Sequence, residues 1–272
     1  MLGTFILWFG WYGFNAGSAV DINSDKLKLP LIASAVVNST LAGSAAGIVA
    51  LFTHLFIQER MTGEPMYKLS AAMNGCLTGL VAITGGCGVV EPWAAIVIGI
   101  VAGLVFLFAS HLLDRYCIDD AVDAIPVHLA GGAWGVIATG LFASPGGLKH
   151  WYGYSDESLV DHVGLFYSWG RSSGDFALMG CQIIGLVCIL SWVTLIMFPF
   201  FVLLNYMGIF RADALEEVVG LDVSYHGYMP KSYGDEISPE HLSAYAKKTG
   251  SSRFYDLDGG EEDNEGVDRF DG

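Results

Sequence analysis

Charge is scarce in this chain. Of its 272 residues only 15% are Asp, Glu, Lys or Arg, and 13 are basic against 28 acidic. So few cations, at a net charge of −15, cannot build the basic face that a phosphate backbone requires, and they disfavour nucleic acid and anionic lipid as partners. Cysteine is sparse as well: Cys76, Cys87, Cys117, Cys181 and Cys188 have no CxxC spacing, read as small buried hydrophobes, and imply no metal site. Nothing in the first residues resembles a signal peptide, with neither a basic n-region nor a small-residue cleavage site. The first apolar helix is therefore expected to stay.

What is present is apolar. A content of 53% hydrophobic residues with 35 glycines and a mean hydropathy of +0.49 is wrong for a soluble domain of this size and right for a polytopic membrane protein. Six long apolar segments stand out: the first twenty residues, then roughly 31–57, 69–90, 93–113, 121–143 and 176–207. Each can cross a hydrocarbon core of about 30 Å. The fold class is thus all-α, with about six transmembrane helices over residues 1–207. Residues 208–272 form an acidic tail with 15 acids against 6 bases, and its end, GGEEDNEGVDRF, has the composition of a disordered segment. Orientation is not set by Lys and Arg: Arg60, Lys68, Arg115 and Arg211 flank one side, Lys26, Lys28, Lys149 and Arg171 the other.

Four constellations carry chemistry. In MLGTFILWFGWYGFNAGSAV, Trp11, Phe14 and Ser18 fall at i, i+3 and i+7, so two rings and a hydroxyl share one helical stripe. Ring faces beside an oxygen suit a small cation, while an interfacial aromatic belt explains the same residues equally well. In CIDDAVDAIPVHLAGGAWG, Asp119, Asp120 and Asp123 precede a helix carrying His128. His128 lies about nine residues past Asp119, or roughly 13 Å into the membrane at 1.5 Å per residue, and an ionisable group at that depth is a functional hypothesis. On the residue alone, an interhelical hydrogen bond is the stronger reading. Gly131, Gly132 and Gly135 project onto the same face and thin it for a neighbouring helix or a substrate. Asp119 and Asp120 read as helix caps, and Asp123, one turn further in, as ordering the packing. In LTGLVAITGGCGVVEP a helix breaks into glycines after Thr84, whose hydroxyl could equally bond back to the i−4 carbonyl. In EEVVGLDVSYHGY, Ser224 stands among acidic residues. The remaining histidines, 54, 111, 150, 162, 226 and 241, read as structural or solvated. Asn38-Ser39-Thr40 is formally a glycosylation sequon, but it lies within an apolar helix where no glycosyltransferase reaches.

These stretches resemble the ammonium transporter family, the Amt/Mep/Rh proteins, and the dense WFGWYGFN and Gly-Leu-Asp motifs resemble the Amt branch more than Rh. The resemblance implies a channel-like, non-enzymatic transporter of ammonium or ammonia, homotrimeric, without cofactor, in the plasma membrane with a cytoplasmic tail. It implies cation recruitment by Trp11 and Ser18, a gate at Phe14, Thr84 facing the pore, and His128 as one of two paired pore histidines. Asp119, Asp120 and Asp123 match the family's acidic run. Ser224 falls where plant relatives carry a threonine phosphorylation switch; a phosphate there would repel Asp222 and Glu217. Family members are built from two inverted five-helix repeats and a last helix, and the resemblance, over residues 2–230, covers the second repeat, the eleventh helix and the tail. The chain is accordingly expected to be incomplete, and a half-pore would bare His128 and its glycine face to lipid. Beside a transporter fragment stand two alternatives: an ammonium sensor or transceptor, although the tail has no kinase, cyclase or receiver pattern, and a short regulatory subunit that impairs full-length trimers.

Overall fold

The computed structural model describes residues 1–18, 29–152, 162–169, 176–221, 244, 247 and 248. All six apolar segments are helical: α1 (Leu2–Gly17), α2 (Leu29–Thr62), α3 (Leu69–Thr84), α4 (Pro92–Arg115), α5 (Gly131–Phe142), entered through a π-helical turn at Ile125–Ala130, and α8 (Ala177–Tyr206). The short helices α6 (Pro145–Tyr152), α7 (Leu165–Ser168) and α9 (Ala214–Val219) complete the described elements. Among the described residues, four spans are long and apolar enough to cross a membrane, namely α2, α4, Ile125–Phe142 and α8. Helices α1 and α3 have 16 residues each, about 24 Å at 1.5 Å per residue. Helix α3 is shorter than the apolar segment 69–90 because Gly85 and Gly86 begin a turn that runs to Val90.

The chain divides into two units, Met1–Ser191 and Trp192–Gly272. The first is built on α2, which packs on both α3 and α4. Its buried face recurs at Leu31, Ala35, Asn38, Ser39, Ala42, Gly43, Ala46, Gly47 and Ala50, a helical repeat made almost entirely of small residues. Small faces let backbones approach closely, which is how helices associate where lipid removes the hydrophobic drive between them. A Cβ added at Gly79 of α3 or Gly99 of α4 would strike the carbonyl of Ala42 from two sides, and one at Gly135 would strike that of Ala82. Large apolar side chains point outward instead: Phe5, Phe9, Phe52, Phe56 and Phe108 are all exposed, as the lipid-facing surface of a membrane protein must be.

In the second unit, Phe201 packs between Phe200 and Phe210. Asp213 caps α9 by accepting the Leu215 N–H at 3.0 Å, and Arg211 grips Glu217 with both arms of its guanidinium at 2.7 and 2.8 Å.

Candidate functional site

Helix α1 carries the aromatic stripe, and three side-chain hydrogen bonds set its rotation. Trp11 donates its indole N–H to Thr84 Oγ1 at 2.9 Å, Asn15 donates to Ser39 Oγ at 2.7 Å, and Tyr12 meets Thr40 Oγ1 at 2.8 Å. Each of these hydroxyls also bonds back to its own helix: Thr84 to Leu80 O at 2.8 Å, Ser39 to Ala35 O at 2.6 Å and Thr40 to Val36 O at 2.9 Å. A hydroxyl has one proton, so all three face α1 as acceptors only. Tyr12 is therefore the donor to Thr40, and it accepts in turn from Trp8 Nε1 at 2.9 Å.

The structure brings Trp11, Phe14 and Thr84 together. The Trp11 and Phe14 rings meet edge to face, with centroids 6.0 Å apart and planes at 67°, and Phe14 is 61% exposed. Ser18 is exposed and donates to the Phe14 carbonyl at 2.8 Å, so its lone pairs remain unspent. The two readings of Thr84 hold at once: it bonds back to its own helix and faces Trp11.

His128 sits in the π-helical turn, exposed, with its backbone carbonyl accepting from the Gly131 N–H; among the described residues its ring makes no hydrogen bond and no ring contact with Trp11 or Phe14. Of the face that a half-pore is expected to bare, His128 is exposed and Gly132 half-buried, but the other two glycines are covered. Gly131 and Gly135 are buried against Thr78 and Ala82 of α3. The i→i+5 turn takes up an extra residue, so a 100° projection does not carry from His128 across it.

The three aspartates separate by role. Asp120 accepts from the N–H groups of Ala124 and Ile125 at 2.8 and 2.6 Å, where free donors and the positive end of the helix converge. Asp123 adopts a left-handed backbone at φ 58° and ties two helices together, accepting from Ser110 of α4 at 2.8 Å and from Asn74 of α3 at 3.0 Å. Asp119 lines a cleft of about 410 Å3 with Asp114, Asp120 and Asp123. Ser224 and Asp222 lie outside the described residues. Glu217 is held below its ordinary value by hydrogen bonding to Arg211, and Asp213 likewise by Lys248. Among the described residues no group of three His, Cys, Asp or Glu could hold a metal.

Two polar residues hold the helices together in a way the sequence reading does not assign to them. Asn38 is fully buried and donates to the carbonyls of Cys87 and Val90 at 2.8 and 2.9 Å; Trp134 donates to the Ile98 carbonyl at 3.0 Å. The available signal was their polarity within apolar helices, where an unpaired donor is costly. The cysteines also differ from expectation: Cys87 is buried and Cys76 half-buried, whereas Cys117, Cys181 and Cys188 are exposed.

Residues 1–231 match the model of the Ammonium Transporter Family. The chain is similar to ammonium transporter 1 member 3 of Solanum lycopersicum, at 39% identity over 250 residues that cover 90% of this chain and 51% of the relative. It is similar to ammonium transporter 3 of Dictyostelium discoideum at 35% identity, covering 83% and 48%. Among solved structures, Candida albicans Mep2 superposes with a TM-score of 0.63 at 26% identity, over 88% of this chain and 48% of that one. A structure described as a Sensor Amt Protein gives a TM-score of 0.62 at 28% identity, over 82% and 48%. The chain spans about half the length of the curated relatives it matches.

Proposed function

Because the chain belongs to the ammonium transporter family, we propose that it takes part in moving ammonium or ammonia across a membrane, with Trp11, Phe14, Ser18 and Thr84 as the recruiting surface. The observation that carries this reading is the Trp11–Thr84 hydrogen bond. An indole is positive at its N–H edge and negative on its faces. Spending that N–H on Thr84 turns the repulsive edge toward an oxygen and leaves the ring face to meet a cation. Thr84 keeps one lone pair and Ser18 keeps two, so oxygen acceptors stand ready to replace part of the water an ammonium ion gives up.

Beyond recruitment, the reading has the ion give its proton to bulk water at the recruiting surface, pass Phe14 as ammonia, and travel along His128. The ring of His128, free of described partners, can accept from ammonia through one nitrogen and donate through the other. Asp123, by joining α3 to α4, supports the turn that presents His128. No catalytic role or cofactor enters this scheme. The setting is a bilayer, in which residues 1–207 span and residues 208–272 form a cytoplasmic tail. We place the protein in the plasma membrane as a homotrimer, and Ser224 as a phosphorylation site that modulates transport through that tail. A sensor role is the second reading, favoured by the likeness to the Sensor Amt Protein.

Uptake of labelled methylammonium tests the proposal, in transport-deficient cells expressing this chain alone and then with a full-length family member. Uptake that falls when Trp11→Leu is introduced supports transport. Loss of the partner's uptake supports a regulatory subunit, and altered ammonium signalling without any uptake supports the sensor. Ser224→Asp with unchanged uptake would remove the tail switch.

A further inference from the structure

Three consecutive residues of α2, Asn38, Ser39 and Thr40, look like a glycosylation sequon, but each holds a segment next to the recruiting surface: the turn after Thr84, Asn15 and Tyr12 respectively. We infer that this triplet is a register clamp: it positions Trp11 of α1 against Thr84 of α3, and the α2 turn that carries it is the common reference for both. The inference rests on the reading of Trp11 and Thr84 given above.

The clamp has two arms. Asn38 donates both protons of its amide to the carbonyls of Cys87 and Val90, within the turn that follows Thr84. That turn's own backbone bonds run from Gly86 to Ile83 and from Val89 and Val90 to Gly86, so they leave the two carbonyls that Asn38 takes. On the other arm, Ser39 accepts from Asn15 and Thr40 accepts from Tyr12. Successive residues of a helix point about 100° apart, so a single turn of α2 can serve the α3 turn and α1 together.

The chemistry fixes the register one to one. Ser39, Thr40 and Thr84 spend their protons on the carbonyls of Ala35, Val36 and Leu80, so each offers α1 an acceptor and no donor. Helix α1 answers with three donors, Asn15, Tyr12 and Trp11. Sliding α1 by one residue would put Gly10, Trp11 and Phe14 where Trp11, Tyr12 and Asn15 now donate; of these only Trp11 carries a side-chain donor, so at least two hydroxyl acceptors would be left unmatched in an apolar setting. Asn38 has no substrate role in this scheme and acts only through the turn; Ser39 and Thr40 act only through α1.

The test uses the whole chain in detergent, labelled with 5-fluorotryptophan and read by 19F NMR. The Trp11 signal is assigned by its loss in Trp11→Phe, and Trp134, which bonds to Ile98 away from the clamp, is the internal control. Thr40→Val keeps the side chain's shape and removes the hydroxyl that accepts from Tyr12 and bonds back to Val36, and Ser39→Ala removes the Asn15 contact with the bond back to Ala35; both are conservative enough to fold, which an unmoved Trp134 signal verifies. The expected result is a Trp11 shift of more than a linewidth in both variants, with Trp134 in place. Trp11 signals that stay put overturn the clamp, and so do Trp11 and Trp134 signals that move together, since that reports general loosening. Ammonium chloride titrated into the unsubstituted chain is the separate arm: no response of Trp11 there overturns the recruiting role while leaving the clamp result legible. Where ammonium does respond, the two variants should raise its half-saturation by about threefold to tenfold, the loss of roughly one hydrogen bond.

Discussion

Trp11 and Thr84, 73 residues apart in the chain, are joined by a 2.9 Å hydrogen bond between an indole N–H and a threonine hydroxyl. The bond ties the last residue of α3 to the middle of α1, and both ends are half-buried. Replacing Thr84 by valine keeps the shape and leaves the indole donor without a partner, which costs about 1–3 kcal/mol for a buried group. Thr84→Ser keeps the hydroxyl and should stay close to the parent. Thermal unfolding of the purified chain in detergent reads the difference, and equal melting temperatures for Val and Ser would show that the bond contributes nothing.

Asp123 makes the second tie, through Ser110 and Asn74. Hydrogen bonds to a charged acceptor contribute about 1.5–3 kcal/mol each, and the left-handed backbone at this position favours Asp or Asn over other side chains. Asp123→Ala should therefore destabilise strongly through both losses. Asp123→Asn retains the backbone preference and one acceptor oxygen, so it should fall between. Urea or guanidinium unfolding followed by circular dichroism gives the ranking; an alanine variant as stable as the asparagine one would mean that the helix pair does not depend on this carboxylate.

These two ties mark the boundary of what the sequence makes legible. Helical type is readable because long apolar runs have one physical explanation, and the motifs around Trp11, Thr84 and His128 carry the family; against the expectation of about six crossings, four of the described helical spans are long and apolar enough, and α1 and α3 have 16 residues each. Contacts between helices are not readable, since hydropathy carries no information about which face meets which neighbour. Asn38, Ser39 and Thr40 read from the sequence as an unreachable sequon, yet the burial in an apolar helix that denies them to a glycosyltransferase also obliges them to find partners. The π-helical turn before α5 broke the 3.6-residue projection that had put His128 and Gly135 on one face. Exposed Cys181 and Cys188 belong to α8, which buries none of its residues; an apolar helix and a buried helix are different things in a membrane protein.

Close helix crossings give a third expectation. Gly79→Ala and Gly99→Ala each push a methyl into the Ala42 carbonyl, and overpacking of this kind costs about 1–3 kcal/mol. Because both press on one atom of α2, a backbone shift that relieves the first relieves part of the second, and the double variant should lose less than the sum. Gly180→Ala is the control: nothing lies within 4 Å of its added Cβ, and alanine is the better helix former by about 1 kcal/mol, so it should match or exceed the parent. Melting temperatures of the four variants decide it, and strict additivity of the first pair would argue against a shared contact.

The Arg211–Glu217 pair yields a prediction in pH. Hydrogen bonding to the guanidinium holds the Glu217 carboxyl below its ordinary 4.5. A carboxylate with a lowered folded-state value contributes its stabilisation in full above about pH 4.5 and loses it as acid takes the pH down through the lowered value. Between pH 6 and 8 the pair is thus constant, and acidification alone should release it. The pair lies at the surface, so its effect on overall stability is small and the titration itself is the useful readout. With the side-chain carboxyl carbon of Glu217 followed by NMR, the parent should titrate below 4.5 and Arg211→Ala should bring the midpoint back toward it. Arg211→Lys keeps the charge but not the two-armed geometry, and should fall between them. A midpoint that ignores both substitutions would show that the bidentate contact is not held in solution.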